Sequence, residues 1–68
     1  MKSDLNLQDI PGWVTWETDL AYKFLSGHTF NEEFIPKSVG TWHEEVPAPT
    51  RKGVMVMPEK WAMDKGFI

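Results

Sequence analysis

Apolar side chains recur every fourth position at Trp16, Leu20 and Phe24, and Val14, Ala21 and Leu25 widen the stripe. That spacing suits a helix with one face turned inward. Thr15 stands where an N-cap belongs, Glu17 and Asp19 fall in the first turn, and Gly27 follows the last apolar position. A capping hydroxyl, early carboxylates and a terminal glycine each match a helix end. The pattern predicts a helix over 15–26. Thr29 and Glu32 then repeat capping-box spacing, with Phe30 and Phe34 four apart and Pro36 as a stop. A short helix over 30–35 is expected.

The period changes after Pro36. Residues 39–46 alternate, with Gly40, Trp42, Glu44 and Val46 on one face and Val39, Thr41, His43 and Glu45 on the other. Val, Thr and Trp favour strands. A proline-rich loop ending in Gly53 leads to the apolar run Val54-Met55-Val56-Met57. Two strands, 39–46 and 53–57, are expected to form a hairpin with a long loop. Pro58 at a first helical position, Glu59 beside it, Lys65 late and Gly66 after it predict a helix over 58–65. Residues 1–12 are polar apart from Leu5, Leu7 and Ile10, and Pro11-Gly12 is a breaker, so an arm is expected. The fold class is therefore small α+β: a single domain over 1–68, with a β-hairpin or short antiparallel sheet packed by two short helices.

Length changes the picture most. Sixty-eight residues supply one small core, and a core of that size seldom contributes more than about 3–5 kcal/mol. Cysteine is absent, which excludes disulfides, thiolate zinc sites and thiol catalysis. No stretch resembles a signal peptide, and the longest apolar run falls far short of a membrane span. The chain begins with Met and carries no visible tag, so it reads as a complete small open reading frame, soluble and cytoplasmic. The net charge of −3 is unevenly spread. Residues 1–45 hold three lysines against eight acids, whereas residues 46–68 hold four bases against two. Such asymmetry can orient a protein on a charged partner, although scatter in a short chain is the simpler reading.

Four tryptophans are the unusual feature of the composition. Trp16 falls on the expected helical stripe and reads as core. Trp13 precedes that helix and lies off its ladder, so it reads either as a staple over the helix start or as an interface anchor. Met55 and Met57 share one strand face and Val54 and Val56 the other, leaving a strand apolar on both sides. Such strands are usually covered on both, which is hard for so short a chain. A homodimer or a subunit of a complex is expected on that ground. The expected partner-binding surface is Trp13, Trp42, Trp61, Met55, Met57 and Phe67, against the simpler reading of these side chains as core filling.

Chemistry-bearing residues are few. His28 lies near Glu32 and Glu33, and His43 near Glu44 and Glu45. These are the candidates for a metal-dependent or general acid–base site, with His28, Glu32, His43 and Glu44 as weak metal ligands. The spacing matches no defined ligand motif, and no nucleophile accompanies them. Arg51 and Lys52 mark a basic hairpin loop that suggests weak nucleic-acid binding, but two charges in an acidic chain are few for that purpose. No catalytic residue, metal or cofactor is assigned. The expected role is a small acidic non-catalytic protein-binding module. An inhibitor of the phage type, or an accessory subunit, acts in this way by docking on a partner protein.

Overall fold

The computed structural model describes residues 6–68. Five strands form one antiparallel sheet: β1 (Leu7–Glu17), β2 (Ala21–Ser26), β3 (Glu32–Pro36), β4 (Thr41–Val46) and β5 (Lys52–Pro58). One helix follows, α1 (Glu59–Asp64). The strand order is β3-β2-β1-β5-β4, so β1 is central and its two neighbours come from opposite ends of the chain.

This corrects the expected architecture. No helix covers 15–26 or 30–35; those residues supply the end of β1, a turn, β2 and β3. The sheet is therefore not a hairpin packed by two helices but five strands with one six-residue helix. Leu20 explains the misreading: it sits in the β1–β2 turn, 80% exposed, so Trp16, Leu20 and Phe24 do not share a face. Thr15 caps nothing and instead bonds the Glu32 carboxylate and the Lys23 carbonyl. Gly27 opens the β2–β3 turn rather than closing a helix. Of the expected arm, residues 1–5, Leu5 among them, lie outside the described residues, and Leu7–Gly12 belong to β1. The expected hairpin is present as β4 and β5, and the last helix runs over Glu59–Asp64.

Pro11 and Gly12 lie inside β1, where a breaker was expected. Pro11 faces Val54 of β5, and its carbonyl accepts from Gly27 N–H at 2.7 Å on the β2 side. Its nitrogen points to that same side, so the missing proton costs the β1–β5 ladder no hydrogen bond. Gly12 is required by a close approach. A Cβ there would stand 2.2 Å from the Leu25 carbonyl and 2.7 Å from the Phe24 ring.

The sheet is rolled. In a flat sheet the outer strands of five would lie roughly 19 Å apart. Yet β3 and β4, the two edges, are joined by a tight turn in which Val39 and Gly40 N–H both donate to Pro36 O, at 2.9 and 3.0 Å. Gly40 sits at that junction, where a Cβ would meet Met55 Sδ at 2.9 Å and Ile35 Cγ1 at 3.2 Å. The concave interior holds Ile10, Val14, Phe24, Ile35, Met55, Met57, Ala62 and Phe67, with Tyr22, Val39, Trp42 and Trp61 packed against them. Phe24 is central, edge-on to Phe67 at 5.1 Å and to Trp42 at 5.9 Å.

The C-terminal tail closes this core. Gly66 turns the chain at φ 74°, and Phe67 N–H donates to Ala62 O at 2.8 Å, a left-handed helix termination. Ser26 is the buried polar residue among those described, and its hydroxyl donates to Phe67 O at 2.7 Å while accepting from His28 N–H. No buried side-chain donor or acceptor is left unpartnered among the described residues.

Candidate functional site

A bulge in β1 creates the site. Val14 pairs with Phe24 and Trp16 with Lys23, so one extra residue, Thr15, is inserted between them. Without it, Trp13 and Trp16 would point to opposite faces, because side chains alternate along a strand. With it, both point outward: Trp13 stands beside Leu25, and Trp16 beside Lys23 and Phe34. Trp16 is 63% exposed.

Two loops wall this aromatic face. The β2–β3 loop contributes Phe30, 68% exposed, and the β4–β5 loop contributes Ala48, Pro49, Thr50 and Arg51, with a cis bond between Ala48 and Pro49. Together with Trp13, Trp16 and Leu25 they enclose an open groove of about 680 Å³. A smaller hollow of about 390 Å³, bounded by Lys23, Glu32 and Phe34, continues on the far side of Trp16.

Phe30 and Arg51 are the non-glycine residues with positive φ among those described, at 60° and 50°. Each costs an L-residue roughly 1–3 kcal/mol and persists only where its surroundings enforce it. Both are enforced. Thr29 Oγ1 donates to Gly66 O and Asn31 Nδ2 to Lys65 O, each at 2.6 Å, so the residues flanking Phe30 are pinned to the C-terminal tail. Phe30 N–H itself donates to Ser26 O. Arg51 is tied through its backbone to Pro47 O and Val14 N–H, and through its side chain to two carboxylates.

Those carboxylates belong to an ionic chain at one end of the groove. Lys37 Nζ meets Glu17 Oε2 at 2.6 Å, Arg51 reaches Glu17 Oε1 at 2.8 Å and Glu44 Oε1 at 2.7 Å, and Trp42 Nε1 donates to Glu44 at 3.1 Å. The Lys37 and Arg51 contacts hold the Glu17 carboxyl below its ordinary value. Arg51, then Trp42, does the same for Glu44. Lys37 and Arg51 are raised in turn, chiefly by Glu17 and Glu44 respectively. The chain links β1, the β3–β4 turn, β4 and the β4–β5 loop, so it fastens the rolled edges together.

The residues singled out from the sequence are dispersed. Met55, Met57 and Phe67 are buried in the core, and Trp42 packs on Phe24. Met55 and Met57 point into the rolled interior with Ile10, Phe24 and Ile35, so their apolarity is accounted for within one chain. Trp61 lies on α1 beneath Lys65, against a more polar hollow that also includes Glu59, Lys60 and Asp64. Trp13 lines the groove, with Lys52 Nζ 6.0 Å above its ring. Arg51 and Lys52 do not form a free basic tip, since Arg51 is bound to Glu17 and Glu44. Glu32 bonds Thr15 and Glu44 bonds Arg51, while His28 and His43 stand exposed on a turn and an edge strand. Among the described residues, no three of His, Asp and Glu come together to hold a metal. No helix there is long and apolar enough to cross a membrane.

Sequence reasoning missed Trp16 and Phe30 as groove residues. Comparison with protein-family models, curated proteins and solved structures finds no match to this chain.

Proposed function

We propose that the protein is a small non-catalytic binding module, an inhibitor or accessory subunit that acts by docking on a partner protein through the groove between Trp13, Trp16 and Phe30. One coincidence carries this reading. The two bulky residues held at positive φ both line the groove that also has the exposed Trp16 on its wall. Backbone strain and open aromatic surface each lower stability, and small domains have little to lose. Their coincidence at one place is the mark of a binding face, where aromatic anchors dominate recognition. The groove contains neither histidine nor a paired acid and base free to move a proton, because Glu17 and Arg51 are engaged with each other.

Selection of random dodecapeptides on the immobilised chain tests the reading. A Trp16→Ser/Phe30→Ser double variant serves as the counter-target. Peptides retained by the native protein and lost on the variant are expected. Selected peptides that bind both equally, or no selected peptides at all, would remove the groove as the docking face.

A further inference from the structure

The two ladders of the central strand end at different places. β5 pairs with β1 from Leu7 to Trp13, but β2 pairs with it only from Gly12 to Glu17. The bond from Gly27 N–H to Pro11 O is the last on the β2 side, and the chain then turns away toward β3. Residues 7–9 therefore have a strand beside them on one side only. The other side, in line with β2, is an open strand edge.

The backbone groups on that edge follow from the register. Val14 N–H points toward β5, where it donates to Arg51 O, and Pro11 O points to the β2 side. Directions alternate along a strand, so Leu7 and Asp9 turn both N–H and C=O to the open side. Among the described residues neither has a backbone hydrogen-bond partner there. Both residues are exposed, Leu7 at 59%. Donors and acceptors repeated two residues apart are what an extended strand recognises. Every pairing in this sheet is antiparallel. An antiparallel neighbour would exchange both bonds with Leu7 and both with Asp9.

The side chains narrow the choice of strand. Leu7 and Asp9 share the outer face of β1 with Trp13, since alternate residues take the same face. Asp9 forms no ion pair among the described residues, unlike Glu17, Glu32 and Glu44. A second copy, paired antiparallel about Gln8, would set Leu7 against Asp9 and bring the two Asp9 carboxylates together on a diagonal. Like charges at that range disfavour pairing. A strand with Arg or Lys opposite Asp9 and a β-branched residue opposite Leu7 suits both side chains. Residues 1–45 hold three lysines against eight acids, so the long-range field favours the same basic strand.

We infer that Leu7–Asp9 of β1 accepts an extended strand of a partner protein, antiparallel and in line with β2. The strand carries a basic residue opposite Asp9 and an apolar β-branched residue opposite Leu7. This edge is a separate surface from the groove, and the inference stands or falls without it.

Pro11 shows how to test it. Asp9→Pro deletes an N–H on the open edge and spares the β1–β5 ladder, as Pro11 does two residues along. Asp9→Asn removes the charge alone. The isotope-labelled full chain is titrated with two acetylated, amidated octapeptides, Arg-Thr-Val-Thr-Arg-Thr-Val-Thr and its counterpart with glutamate for arginine. Amide shifts and hydrogen exchange are followed by NMR. The arginine peptide is expected to protect the Leu7 and Asp9 amides saturably, and the glutamate peptide to bind more weakly. Asp9→Asn is expected to weaken binding of the arginine peptide about two- to fivefold. Asp9→Pro is expected to weaken it about tenfold or more with the native amide dispersion kept. The asparagine variant decides the matter if the proline variant does not fold. No protection of the two amides, equal binding of both peptides, or undiminished binding by the variants would overturn the inference. Protection at β3 or β4 instead, or shifts centred on Trp16, would also overturn it. Protection of Leu7 and Asp9 that grows with protein concentration alone would give the edge to a second copy and overturn the partner strand.

Discussion

Phe24 on β2 and Phe67 in the C-terminal tail meet edge to face, their ring centroids 5.1 Å apart and both fully buried. The contact joins the last residues of the chain to the middle of the sheet, and the Ser26 hydroxyl bond to Phe67 O reinforces it. Phe67→Ala removes a buried aromatic ring, a loss of about 3–5 kcal/mol. That matches the whole stability expected of a core this small. Chemical denaturation is expected to show the variant mostly unfolded at 25 °C, with Phe67→Leu intermediate.

Phe30 supplies a test of strain. Glycine adopts φ 60° without the steric cost that an L-residue meets there. Phe30→Gly is expected to raise unfolding free energy by about 1 kcal/mol, whereas Phe30→Ala keeps the strained backbone and gains nothing. Both should weaken groove binding. Urea titration of the pair separates the backbone from the ring. Equal stabilities would mean that the left-handed conformation carries no cost here.

Trp16 makes the complementary point. It is largely exposed, so Trp16→Ser should change stability by no more than about 0.5 kcal/mol while affecting binding strongly. Thermal melting beside a titration with the groove-selected dodecapeptides reads both effects. A large drop in melting temperature would show that the ring supports the fold.

The ionic chain predicts a response to acid. Glu17 and Glu44 are both held below their ordinary values, by Lys37 with Arg51 and by Arg51 with Trp42. A carboxylate depressed in the folded state contributes stability above its unfolded pKa, and that contribution is lost as pH falls through the folded value. Stability is therefore expected to be level near neutrality and to decline below roughly pH 4. The Glu17→Gln/Glu44→Gln variant should start lower and decline less over that range. Denaturation curves at several pH values check the sign. An unchanged acid slope in the variant would assign the decline to other carboxylates.

Gly12 offers a steric test. A methyl group there would collide with the Leu25 carbonyl, which belongs to the β2 backbone and cannot swing aside. Gly12→Ala is expected to lose the dispersed amide spectrum of the folded chain. Retention of a native spectrum would mean that β1 and β2 can separate locally.

The C-terminal half was more readable than the N-terminal half, for physical reasons. Pro58 and Gly66 punctuate α1 on both sides, and the Val-Met alternation of β5 has a single period. Between Trp13 and Ser26 two irregularities hide the strand period. The bulge at Thr15 shifts the register by one, and the buried face of β2 ends in Ser26, a polar residue whose partner is the C-terminal backbone. With alternation broken, the fourfold spacing of Trp16, Leu20 and Phe24 looked helical. The abundance of Trp, Val, Thr, Tyr and Phe in that stretch was the available sign of strand. Pro11 disguised β1 in the same way, because its harmlessness depends on where β2 stops. Of the groove, Trp13 stood out for lying off the helical ladder. Trp16 and Phe30 did not, since a bulge and a positive φ in phenylalanine leave no trace in residue order.

The strand order has a consequence for how the chain is made. Of the five strands the central one is made first, and its partner along residues 7–13 is the last of them, β5. Leu7 pairs with Pro58, so half of the central ladder waits until residue 58 has been made. Only the β1–β2–β3 meander can assemble early, and it does so without the methionines, Trp42 or Phe67 that complete its interior. Pairings this distant in sequence are slow to form. Until β5 arrives, the meander carries an uncovered apolar inner face.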